Sequence, residues 1–112
     1  TAAIKAVEAV DAELGRIAEA MEATGGALLV TADHGNCEVM RDPVTGAPHT
    51  AHTVNPVPLM LQARLPGGEA TLERGRLADL APTLLDLMGL PQPPGMTGHS
   101  LLRRSLQGGR SL

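Results

Sequence analysis

Asp33 and His34 stand side by side directly after an apolar run, Ala27-Leu28-Leu29-Val30, and another imidazole, His52, follows within Pro48-His49-Thr50-Ala51-His52-Thr53. Carboxylate oxygen and neutral imidazole nitrogen form a donor set suited to a divalent ion such as Mn²⁺ or Zn²⁺. Cys37 is the single cysteine, so no thiolate cluster argues for a structural zinc. Neighbours within a strand point to opposite faces, but in the turn after a strand two adjacent side chains can converge on one ion. Gly35 would let the backbone turn tightly beside it. Thr31 and Asn36 are candidates to orient the ligands by hydrogen bonds. The plainer alternative stays open, with Asp33 capping a helical turn and His34 as a surface histidine. His49 is expected to be solvated or to support a ligand, and His99, between Gly98 and Ser100, to lie on the surface.

Such a pair must be delivered by a buried strand, and the flanking residues provide one. Ile4, Val7, Val10, Leu14, Ile17 and Met21 recur at spacings of three and four, which predicts an amphipathic helix of about twenty residues. Gly25-Gly26 ends it. Ala27 to Thr31 reads as a strand buried on both faces. Helix, glycine turn and apolar strand make the repeating half-unit of a parallel α/β sheet. Ala32 to Asn36 is then the turn at the carboxyl end of the strand, where such sheets bind ligands.

Further along, Cys37 to Met40 predicts a short helical turn, and Arg41 to Thr53 a long loop with turn signals at Asp42-Pro43 and Thr45-Gly46. Val57 to Gln62 reads as a second strand, placed near an edge by Pro56 and Pro58. Asp79 is expected to cap a second helix that runs to about Met88, with Pro82 in its first turn and Gly89 closing it. Leu80, Leu84, Leu87 and Met88 would be its buried stripe. Pro91 to Gly95 reads as an extended linker, and Met96 to Leu101 as a turn into a short apolar anchor. Residues 1–106 form one expected unit, and 107–112 a flexible tail.

Composition narrows the function classes. The chain has 112 residues, 43% of them hydrophobic, with no Phe, Tyr or Trp. Its core must come from Leu, Val, Ile, Ala and Met. A net charge of −3, no basic run and no aromatic ring for base stacking argue against nucleic-acid binding. No stretch approaches the roughly 18 apolar residues of a membrane span, and no signal peptide is visible. Cys37, alone, excludes an intrachain disulfide; it reads as a small core filler in a reducing, cytoplasmic compartment. No glycine-rich phosphate loop and no serine in a nucleophile elbow are present. Arg41, Arg64, Arg74 and Arg76 could reach an anion, though most are expected to be solvated. Because the chain starts at Thr1 and enters a helix at once, it is expected to be a piece of something longer.

Thr31-Ala32-Asp33-His34-Gly35-Asn36-Cys37-Glu38, Pro48-His49-Thr50-Ala51-His52-Thr53 and Asn55-Pro56-Val57-Pro58 resemble cofactor-independent (2,3-bisphosphoglycerate-independent) phosphoglycerate mutases. Leu77-Ala78-Asp79-Leu80-Ala81-Pro82-Thr83-Leu84, Met96-Thr97-Gly98-His99-Ser100-Leu101 and the opening helix resemble the same family. The resemblance implies the alkaline phosphatase superfamily and an α/β fold, here the C-terminal portion of a three-layer domain with a mainly parallel sheet flanked by helices. It implies interconversion of 3-phosphoglycerate and 2-phosphoglycerate through a phosphoserine, at two Mn²⁺ ions. Asp33 and His34 would bind one ion and His52 the other, as holders of metal and not as acid or base. The family's nucleophilic serine, remaining ligands and substrate-binding domain have no counterpart in these residues. The resemblance therefore implies a fragment inactive by itself, from an enzyme expected to be monomeric. A strand edge stripped of its neighbours could pair with a second copy. Another enzyme of the superfamily (phosphopentomutase, phosphatase or sulfatase) and a non-catalytic metal- or partner-binding module remain the alternatives.

Overall fold

The structure, a computed structural model, describes residues 2–35, 39, 43–46, 55–65 and 68–104. Helix α1, Ala2–Thr24, follows the periodicity expected of it. It stops where Gly25 takes φ 73°, a left-handed conformation that costs glycine nothing. The Gly26 N–H then reaches back to the Met21 carbonyl at 2.9 Å, and the Gly25 N–H to that of Glu22 at 3.2 Å. These two bonds satisfy carbonyls that the helix end leaves open.

Strand β1, Leu28–Thr31, pairs with β2, Leu59–Gln62, from Leu28 opposite Gln62 to Thr31 opposite Leu59. The pairing is antiparallel. A second antiparallel pair joins β3, Ala70–Leu72, to β4, Leu102–Arg104. The α/β character expected from the sequence holds, but among the described strands the parallel pairing does not. Parallel neighbours need a crossover on one face of the sheet, whereas antiparallel neighbours need none. β2 is an edge strand, as its prolines suggested. β1 is half-buried rather than covered on both faces, and among the described residues its sheet has two strands.

Leu77–Asp79 forms a 3₁₀ turn that leads into α2, Leu80–Met88. α2 closes at Gly89 with φ 71° and the same pair of return bonds as α1, from Gly89 to Asp86 and from Leu90 to Leu85. Its buried face is not the one expected: Pro82 and Thr83 are buried, while Leu84 and Met88 are exposed. Pro91 to Gly95 is no extended linker either. The Met96 N–H bonds the Pro93 carbonyl at 3.1 Å, and the Gln92 amide donates to the carbonyls of Met96 and Gly98.

The core lies at the anchor. Leu101 and Leu102 are 2% and 3% exposed, each burial contributing about 1.5–3 kcal/mol. They are fastened to α2 by polar bonds. The Thr83 hydroxyl donates to the Asp79 carbonyl at 2.7 Å and accepts the Leu101 N–H at 2.9 Å. The Ser100 hydroxyl donates to Asp86 at 2.6 Å, and Arg104 reaches the same carboxylate at 3.1 Å. α1, by contrast, buries no residue fully; Ile4, Val7, Val10 and Ile17 stay exposed. It is moored by the Gln62 amide on the Ala18 carbonyl, 3.0 Å, and by an Arg64–Glu22 pair at 3.6 Å. The radius of gyration, 17.6 Å, exceeds the roughly 13 Å of a compact chain of this length.

Two predictions test this core. Thr83→Val keeps the shape but strands the buried Leu101 N–H, and is expected to cost about 1–3 kcal/mol in urea unfolding followed by far-ultraviolet dichroism. The acid limb of stability supplies the second. The Arg76 N–H, and next the His99 N–H, hold the Asp79 carboxyl below the usual carboxylate range; the Ser100 hydroxyl, and next Arg104, do so for Asp86. Both groups are more acidic folded than unfolded, so their contribution is complete above about pH 4 and is lost as pH falls through the folded values. Asp79→Asn is expected to flatten that limb. An acid profile unchanged by the substitution would count against the role given to Asp79.

Candidate metal centre

Antiparallel register puts the start of β2 beside the end of β1. The Thr31 hydroxyl donates to the Pro58 carbonyl at 2.8 Å and ties the two segments together just before Asp33. The chain bends through Asp33 and His34 at the carboxyl end of β1, and Gly35 is buried. Side chains of the bend point outward: Asp33 is 78% exposed and His34 40%. Asn55, Pro56 and Val57 join Asp33 and His34 in lining a cleft of about 730 Å³. Thr31 and Leu59 line it too, and its other wall comes from a distant stretch, Leu72 to Leu77, with Leu80 and Leu101.

Local geometry fits a cation. His34 Nδ1 lies 3.1 Å from the Gly35 carbonyl oxygen. A carbonyl can only accept, so this bond needs the proton on Nδ1 and makes Nε2 the acceptor of the neutral ring. Nε2 is 3.5 Å from Asp33 Oδ1. Two acceptors thus face one another, an arrangement that positive charge between them relieves. Donors about 2.1 Å from a shared tetrahedral ion are separated by roughly 3.4 Å, close to what the pair shows. The Gly35 carbonyl is the kind of partner that fixes the ring of a metal-binding histidine.

Among the described residues, no group of three or more His, Cys, Asp or Glu could hold a metal ion. Asp33 and His34 are brought together; His52, the third expected ligand, lies outside the described residues. Asn36, Cys37, Arg41, His49 and the 107–112 tail lie outside them too. Thr31 spends its hydroxyl on Pro58 rather than on a ligand. His99 is exposed, as expected, but its N–H donates to Asp79 at 3.0 Å and its ring lies 3.6 Å from the same carboxylate. Asp79 was expected as a helix cap. It occupies the position before α2, yet its carboxylate bonds no N–H of that helix and takes those of Arg76 and His99 instead. Arg74 and Arg76, named from the sequence among the cations that could reach an anion, line this cleft. Their only local signal is an alternating pair of cations around Gly75.

No helix among the described residues is long and apolar enough to cross a membrane. The chain is 65% identical over 101 residues to the 2,3-bisphosphoglycerate-independent phosphoglycerate mutase of Rhodopseudomonas palustris, a match covering 90% of this chain and 19% of that protein. Against the enzyme of the same name from Ruegeria pomeroyi it is 65% identical over 103 residues, 90% of this chain and 20% of the other. It spans about a fifth of the length of the curated relatives it matches. Among solved structures it is similar to Leishmania mexicana phosphoglycerate mutase, crystallised at low cobalt concentration. The TM-score there is 0.74 at 30% identity, over 91% of this chain and 21% of the other. The fold is thus that of a segment of a phosphoglycerate mutase. The family profile described as the metalloenzyme superfamily matches residues 1–92, through β1, the Asp33–His34 bend and α2, and the chain belongs to that superfamily.

Proposed function

We propose that these residues supply part of the metal centre of a phosphoglycerate mutase, a cytoplasmic isomerase that interconverts 3-phosphoglycerate and 2-phosphoglycerate. The observation that carries the reading is the pair of facing acceptors, Asp33 Oδ1 and His34 Nε2, in a chain so similar to the mutases. Asp33 and His34 hold one Mn²⁺. His52, three residues before the cleft-lining Asn55, holds the second. A divalent ion in such a site lowers the pKa of a nucleophilic hydroxyl and neutralises charge on phosphoryl oxygens.

The residues here have a narrower task. Asp33 contributes one negative oxygen, and His34 a nitrogen aimed by the Gly35 carbonyl; neither moves a proton. Activity needs residues beyond these 112, because the described residues place only two donors together and the chain matches about a fifth of the mutases' length. The 112 residues alone do not catalyse the conversion.

Isothermal titration of the chain with Mn²⁺ tests the pair. His34→Ala and Asp33→Asn are each expected to weaken binding roughly tenfold or more, since each removes half of the ligands. Equal affinity in both variants and the parent chain would refute the assignment. A coupled assay with 3-phosphoglycerate is expected to detect no turnover by the pure chain; robust turnover would mean that the site is complete within it. In a full-length mutase carrying these residues, His52→Ala is expected to lower the bound manganese from two ions to one, read by elemental analysis.

A further inference from the structure

Along α1, Val7, Val10, Leu14 and Ile17 follow one another at spacings of three, four and three, the a and d positions of two successive heptads. Val7, Val10 and Ile17 are exposed, and Leu14 is half-buried. A shallow groove of about 310 Å³ runs beside them, lined by Ala9, Val10, Glu13, Leu14 and Ile17. Its one acidic wall is already balanced, because Glu13 pairs with Arg16 of the same helix at 3.2 Å. The moorings of α1 lie further along, at Ala18 and Glu22. They position the stripe without covering it.

Surface area says how much is left to cover. The accessible surface is 8439 Å², whereas a compact monomer of 11.6 kDa exposes roughly 5,800 Å². A standard interface between proteins removes about 800 Å² from each partner, so the excess is large enough to supply one. The stripe also fits itself. In an antiparallel pair of helices centred between Val10 and Leu14, Val10 meets Leu14 of the second copy and Val7 meets Ile17. The same arrangement sets the end that carries Lys5 beside the end that carries Glu19, and it opposes the two helix dipoles.

We propose that the 112-residue chain binds a second copy of itself in solution through the Val7–Ile17 stripe of α1. The inference stands apart from the metal reading, since the Asp33–His34 bend takes no part in the contact. It differs as well from pairing by a strand edge. Side chains of a helix carry the association, by removing apolar surface from water, and no backbone hydrogen bond is formed between the copies.

Sedimentation equilibrium of the chain without added metal, over roughly 1–100 µM, decides the matter. The mass is expected to rise with concentration from 11.6 kDa to twice that value and to stop there. Val10→Asp places two unpaired carboxylates in the contact and is expected to weaken dimerisation roughly tenfold or more. Val7→Lys, one turn earlier, is expected to do the same. Ala12→Asp puts a charge on the opposite side of α1 and is expected to leave the dimer intact. All three positions are exposed, and far-ultraviolet dichroism of each variant checks that the helix is kept. A chain that stays monomeric over the whole range, or that builds assemblies beyond the dimer, overturns the proposal. So does a dimer that survives both Val10→Asp and Val7→Lys, or one that Ala12→Asp weakens equally.

Discussion

A buried carboxylate that accepts two backbone N–H groups organises the part of this molecule around α2 and Leu101. Asp79 is 1% exposed, and its oxygens take the N–H of Arg76 and of His99, twenty residues apart from it in the second case. An ionised carboxylate in such a place would be costly unless hydrogen-bonded. Two charge-assisted bonds meet that cost and join the cleft-lining stretch, the start of α2 and the segment leading to Leu101. Thr83 repeats the device one turn later, with a hydroxyl that both donates and accepts. The small apolar core of Leu101 and Leu102 is therefore aligned by polar bonds before it contributes its share of burial.

The other half is held differently. α1 shows a full apolar stripe with few partners, and β1 and β2 have one neighbour each among the described strands. An isolated two-stranded pair is marginal in water and needs a further strand or a covering helix. The mutases that match this chain are about five times as long, and have that much more chain against which such a stripe and such strand edges can pack. The elongated shape follows from the same shortage of partners.

What could be read from the residues alone was what local chemistry decides. The period of α1 and its stop at Gly25 depend on neighbours three to five positions away, and both were legible. So was the Asp33–His34 pair, because donor types and a strand end sit together in the chain. The pairing direction of β1 was not, since a helix followed by an apolar strand looks the same whichever way the next strand runs. β3 and β4 escaped notice because each has only three residues and owes its existence to the other. The buried face of α2 was misplaced for a related reason: Thr83 is buried through its bonds to Asp79 and Leu101, which apolar periodicity cannot register. Arg74 and Arg76 look like ordinary solvated charges until the fold sets their stretch beside a strand end some forty residues earlier.

The two ends of the cleft differ in how firmly they are built, and that difference bears on how the site works. The stretch from Glu73 to Arg76 is clamped by backbone bonds to Leu101 and Asp79. Asp33, 78% exposed, is well hydrated and must shed water to bind a cation. The Gly35 carbonyl lies 3.1 Å from His34 Nδ1 and orients the ring. Two hydrated donors bind an ion weakly, because most of the ion's shell stays with solvent and little is gained for each water lost. Further ligands would raise affinity twice over, by filling the shell and by drying the pair already there. A cleft wall clamped by backbone bonds thus faces a pair of exposed acceptors, and under the proposed reading that pair holds an ion firmly only when other donors close around it.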